Sequence, residues 1–134
     1  MNPKNIVLAF LSMILIYTGG AVADEYKATG KAGDMDVKLT LDRNPPVVGQ
    51  NIATIAITDS AGQPVTDAAV RLEFGMPAMP GMPAMNYKND AAPIENESVY
   101  KAPMTLSMGG PWYINVKILK DKKVSTAKFN VDVQ

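Results

Sequence analysis

Between residues 76 and 85 the chain reads Met-Pro-Ala-Met-Pro-Gly-Met-Pro-Ala-Met, so methionine recurs at every third position, at Met76, Met79, Met82 and Met85. A thioether is a soft donor that suits Cu(I) and metals like it. Pro77, Pro80 and Pro83 each follow one of these methionines. Each proline removes a backbone donor and holds the preceding residue extended, so a helix is disfavoured. The expected conformation is polyproline II, with three residues per turn and a rise of about 3.1 Å per residue. That period places all four thioethers on one edge, successive sulfurs roughly 9 Å apart. Sulfurs sharing one ion must lie much closer, roughly 4 Å apart if the Zn–S length is borrowed. A bend in the tract, for which Gly81 is the candidate, or a second segment must therefore complete a site. Met108 stands before Gly109-Gly110, outside any strand alternation, and is the ligand candidate on a second segment.

The expected site is thus Met76, Met79, Met82, Met85 and Met108, holding Cu(I) or Ag(I). Two other readings of the tract stand beside it. Methionine also fills irregular gaps in a core, and it is over-used at adaptable surfaces that dock a protein partner. Met104 falls on the apolar face of a strand and reads as core. Met35, near a strand start, reads as an exposed or gap-filling side chain.

The chain has no cysteine and no histidine. Their absence from the sequence excludes histidine general bases, Ser-His-Asp and Cys-His nucleophilic sites, imidazole ligands and disulfides. Asp34, Asp36, Asp90, Glu95 and Glu97 lack calcium-loop spacing. No constellation points to an enzyme. No basic stripe marks a nucleic-acid surface.

The elements that must position the methionines are short strands. Residues 1–23 read as a secretory signal, with Lys4 as the only charge, an apolar run Ile6–Tyr17 and an Ala21-Val22-Ala23 cleavage site. The run is short for a transmembrane helix, and an uncleaved anchor is the alternative. Cleavage after Ala23 leaves one domain, residues 24–134, in the periplasm or otherwise exported. It carries twelve Lys and Arg against thirteen Asp and Glu, a net charge of −1.

Period-two alternation predicts strands over Asp36–Leu41, Asn51–Thr58, Ala69–Phe74, Glu97–Leu106, Trp112–Leu119 and Val124–Val133, with a weaker one near Glu25–Lys31. Val37, Leu39 and Leu41 share one face, as do Ala53, Ile55 and Ile57. Trp112 opens a face with Ile114, Val116 and Ile118 and reads as the central core aromatic. Asp59–Pro64 is a turn cluster and Lys120–Lys123 a charged hairpin turn. Asn86–Asn96, polar and proline-bearing, reads as a loop. Tyr26, Tyr87, Tyr100 and Tyr113 are scattered and suggest no stacking platform. The sum is an all-β, immunoglobulin-like β-sandwich of about seven strands. Such alternation supplies a core without metal.

The run Asp59–Val65, then Ala69–Phe74 leading to Met-Pro-Gly-Met at Met79–Met82, then Tyr100, then Met108-Gly-Gly-Pro-Trp-Tyr-Ile-Asn-Val-Lys resembles the YtkA-like (FixH-like) periplasmic domains. The resemblance spans roughly Asp36 to Val133. It implies an all-β, immunoglobulin-like fold in the cell envelope. It also implies partners among copper-trafficking, oxidase-assembly or efflux-adaptor proteins. Many members carry a histidine shortly after the Met-Pro-x-Met element, where this chain has Asn86 and Tyr87. The departure biases a site toward Cu(I) or Ag(I).

Overall fold

The computed structural model describes residues 25–134. The signal segment expected at residues 1–23 lies outside the described residues. Eight antiparallel strands follow in order: β1 (Tyr26–Ala32), β2 (Met35–Leu41), β3 (Gly49–Thr58), β4 (Ala69–Met76), β5 (Met85–Ile94), β6 (Val99–Leu106), β7 (Gly110–Lys120) and β8 (Lys123–Val133). Hydrogen-bonded neighbours run β1-β2-β3-β6-β5-β4-β7-β8. β1 comes back beside β8, where the Tyr26 hydroxyl donates to the Asn130 carbonyl at 3.3 Å, so the sandwich is almost a closed barrel.

The alternation is explained by the core. Val37, Leu39, Leu41, Ala53, Ile55 and Ile57 are buried from one sheet. Val70, Leu72, Phe74, Trp112, Ile114, Val116 and Ile118 meet them from the other. Met104 is fully buried among them, as its place on the apolar face of β6 requires.

One element departs from the expectation. Residues 86–94, expected as loop, belong to β5, which raises the strand count to eight. β5 joins the two sheets. Its first part pairs with β4 from Met76↔Met85 to Val70↔Ala91, and its last three residues pair with β6. Its inward positions are Met85, Tyr87, Asn89 and Ala91, of which only Ala91 is buried, so no apolar stripe advertises the strand. Cross-strand charge pairs match its register instead. Arg71 faces Asp90 and bonds it at 2.9 Å, and Glu73 faces Lys88 at 3.6 Å. Opposed charges on neighbouring strands stabilise that pairing.

Glu73 is largely buried between Lys88 on β5 and Lys117 on β7, and Lys117 lies 3.0 Å from its carboxylate. The hydrogen bond from Lys117 holds the Glu73 carboxyl below its ordinary value of 4.5, against the upward push of burial. A carboxyl with a lowered folded-state pKa stabilises the fold fully above the ordinary value. That contribution is lost as the pH falls through the lowered one. Glu73→Gln should therefore flatten the acid limb of stability below pH 4.5, measured as the denaturant midpoint against pH. An unchanged acid limb would remove Glu73 from the account.

Tyr100 ties the long β3–β4 connection to the core. Its hydroxyl donates to the Val65 carbonyl at 3.1 Å and accepts from the Ala68 N–H at 3.2 Å. Tyr100→Phe should strip partners from both backbone groups and cost about 1–3 kcal/mol. A urea midpoint equal to wild type would show that the connection is held by other contacts.

Candidate metal centre

The methionine tract is a hairpin tip, not an extended edge. Met79 N–H donates to the Met82 carbonyl at 3.0 Å, and Met82 N–H returns the bond to the Met79 carbonyl at 2.8 Å. Pro80 and Gly81 fill the turn between them. Gly81 has φ 81°, the left-handed value that the third residue of a type II turn demands after proline. Polyproline II fails here because Pro-Gly is the strongest turn signal within the tract, and the strands on either side carry the chain back on itself. Gly81 thus supplies the bend.

The consequence is that the methionines meet in ranks. Met79 and Met82 form the outer rank, a directly opposed pair whose Cα atoms lie about 5.5 Å apart in such geometry, with both side chains on the same side. Met76 and Met85 form the inner rank, paired where β4 ends and β5 begins. Two residues on each arm, Pro77 and Ala78 and then Pro83 and Ala84, separate the ranks, which stand at most about 10 Å apart. Met108, in the β6–β7 turn, lies at the same end of the sandwich, since Met76↔Met85, Gly75↔Tyr113 and Gly110↔Val133 place these turns together.

Exposure differs sharply along the five. Met82 is 37% exposed and Met76 only 2%. Met79, Met85 and Met108 are half-buried against the core. The Met76 methyl ends beneath β7, where a Cβ added at Gly110 would lie 3.0 Å from it. Met76 is therefore a core residue at the foot of the hairpin, whereas Met79 and Met82 stand at its tip. Met35 packs half-buried against the core.

Around Met85 the structure gathers residues that sequence reasoning passed over. The Tyr87 hydroxyl lies 3.8 Å and the Ser107 hydroxyl 3.9 Å from Met85 Sδ. Tyr113, from β7, donates to the Met85 carbonyl at 3.4 Å and accepts from the Asn86 amide at 2.8 Å. The Tyr87 ring stacks on Phe74 at 5.6 Å and on Trp112 at 6.2 Å, so one tyrosine does enter an aromatic cluster. Trp112 is the core aromatic expected of it, and its indole N–H donates to the Met108 carbonyl at 2.9 Å. The signal for Tyr87 was its place two residues beyond Met85. That spacing carries no meaning while residues 86–96 read as a loop.

The soft donor atoms gathered at this end are thioether sulfurs. Among the described residues there is no cluster of three or more histidine, cysteine, aspartate or glutamate side chains placed to hold a metal.

The model of the YtkA-like family matches residues 29–117, from within β1 to well into β7. The chain belongs to the YtkA-like family. The match includes the whole methionine hairpin and the Met108–Trp112 turn, and it stops short of β8. Among solved structures the YtkA-like chain is similar to the PmoD soluble domain from Methylocystis sp. (Rockwell), with a TM-score of 0.54 and 13% identity, over 80% of this chain and 98% of that one. At that identity the likeness is one of fold. No curated protein matches the chain.

Proposed function

We propose that this YtkA-like domain is an exported, non-enzymatic accessory protein that binds Cu(I) or Ag(I) through thioethers, for delivery of copper to an oxidase or for metal tolerance. The observation that carries the reading is the reciprocal backbone pairing of Met79 with Met82 across Pro80-Gly81. Two sulfurs on opposite sides of one ion, at the Zn–S length of about 2.3 Å, stand roughly 4.6 Å apart. A directly opposed strand pair with Cα atoms about 5.5 Å apart offers two flexible side chains for that span. Met79 and Met82 are then the first ligands. Met85 and Met108, half-buried at the base of the hairpin, supply further sulfur when the tip leans inward, and Met76 supports them from the core.

Partners on this reading are copper-trafficking or oxidase-assembly proteins. The metal is cargo, and folding does not require it, because the strands bury an apolar core of their own. The test is an anaerobic Cu(I) titration of the domain from residue 24 onward against a competing chelator. Competition by the protein supports the reading, and failure to compete overturns it.

One observation favours a second reading, in which the hairpin docks to an envelope or efflux-adaptor protein without metal. Val48, Met82 and Tyr87 are exposed large apolar side chains at the methionine end, at 50, 37 and 40%. Such a module would show no thioether dependence on Cu(I).

A further inference from the structure

We propose that Tyr87 and Ser107 control the Met85 sulfur: their hydroxyls engage its two lone pairs, making Met85 the guarded thioether of this end and Met79 and Met82 the free ones. The hydroxyls come from two separate segments. Tyr87 lies on β5, two residues beyond Met85, and Ser107 lies in the β6–β7 turn. Both fall within hydrogen-bonding distance of Sδ, at 3.8 and 3.9 Å. The Tyr87 hydroxyl is held in place, because its ring is stacked on Phe74 and Trp112. Among the described residues no hydroxyl reaches the sulfur of Met79 or Met82.

The same lone pairs bind soft metal and react with peroxide. In that reaction a sulfur lone pair attacks one peroxide oxygen and the O–O bond breaks. That oxygen stays on sulfur as the sulfoxide, and the other leaves as water once the protons transfer. Sulfur is oxidised by two electrons and hydrogen peroxide is reduced. A lone pair that accepts a hydrogen bond is a weaker nucleophile and a slower ligand. The bonds are weak ones, so the effect expected is several-fold rather than absolute.

The test measures hydrogen peroxide oxidation by peptide mapping, as the ratio of the Met85 rate to the Met82 rate within one molecule. Wild type should oxidise Met82 first. Tyr87→Phe with Ser107→Ala should raise the Met85/Met82 ratio about threefold or more, with each single change raising it by less. Tyr87→Phe keeps the stacked ring, and Ser107→Thr, which keeps a hydroxyl, should hold the wild-type ratio. Ratios that stay at the wild-type value in the single and double variants overturn the proposal, as does a wild type in which Met85 oxidises before Met82.

A second arm rests on the thioether reading above and uses Ag(I) with methyl-labelled methionine. The Met79 and Met82 methyl signals should move at the first equivalent and Met85 only later, and the double variant should bring Met85 forward. If Ag(I) moves no methyl signal in wild type, the metal reading falls, and the peroxide ratio alone still decides for or against the guard.

Discussion

Replacing Met79 and Met82 together by leucine should weaken Cu(I) binding by about a hundredfold or more, equivalent to ~2.8 kcal/mol, and leave the fold intact. Methionine and leucine are close in volume, and swaps of that kind usually cost less than about 1.5 kcal/mol even in cores. Here the pair stands at a hairpin tip, with Met82 37% exposed, so the cost to stability should be smaller still. The turn is held by backbone bonds and by Pro80-Gly81, none of which the substitution touches. What it removes is sulfur. An anaerobic chelator competition, paired with a thermal melt, separates the two effects. Wild-type affinity in the double variant would make the tip methionines packing or docking residues and move the non-metal reading ahead. The same titration run at several pH values adds a second criterion. Thioethers carry no proton near neutrality, unlike imidazole with its ordinary pKa of about 6.5. Affinity should therefore stay nearly flat from about pH 7 to about pH 5, above the carboxylate range. Zn(II), which favours thiolate, imidazole and carboxylate, should not compete.

How far the residues alone lead can be judged strand by strand. Val37-Leu39-Leu41 and Trp112-Ile114-Val116-Ile118 declare their faces because every inward position is apolar and every one is buried. β5 does not, because its charged residues find their partners in Arg71 and Glu73, nineteen and fifteen positions earlier in the chain. Lys88 and Asp90 read in isolation are loop-like, and only the neighbour turns them into ladder partners. The hairpin is half visible. Its bend at Gly81 follows from Pro-Gly chemistry, but the period of three points to one edge. The two ranks emerge only when β4 and β5 close on each other. Met76 shows the limit from the other side, since a residue spaced like its three companions ends as core because β4 extends to include it. Tyr87 bears on Met85 from the same face of β5, two residues on, which shows only once β5 is a strand, and Ser107 reaches it from a turn twenty-two residues later, which no local spacing announces.

Gly75→Ala should destabilise the domain by about 3 kcal/mol or more, the largest effect expected of any single methyl added here. Gly75 is buried near the end of β4, between Tyr113 on β7 and the start of β5. A Cβ there would overlap the backbone carbonyl of Met85 and stand 2.7 Å from the Tyr113 hydroxyl. A side-chain tip can swing away, but a strand backbone cannot move without breaking its ladder. The Met85 carbonyl is also the acceptor for the Tyr113 hydroxyl, so the added methyl pushes apart a contact that joins β5 to β7. The displacement falls one residue from the Met76↔Met85 pair, at the foot of the hairpin that aligns Met79 with Met82. Two readouts should therefore fall together, the urea midpoint and, at temperatures where the variant is still folded, the Cu(I) affinity. The contrast with the leucine pair is diagnostic: leucine at the tip removes sulfur and spares stability, whereas alanine at Gly75 keeps every sulfur and spoils their alignment. A Gly75→Ala domain with the wild-type midpoint would show that β5 can shift at Met85 without cost, and the paired ranks would then have no rigid base.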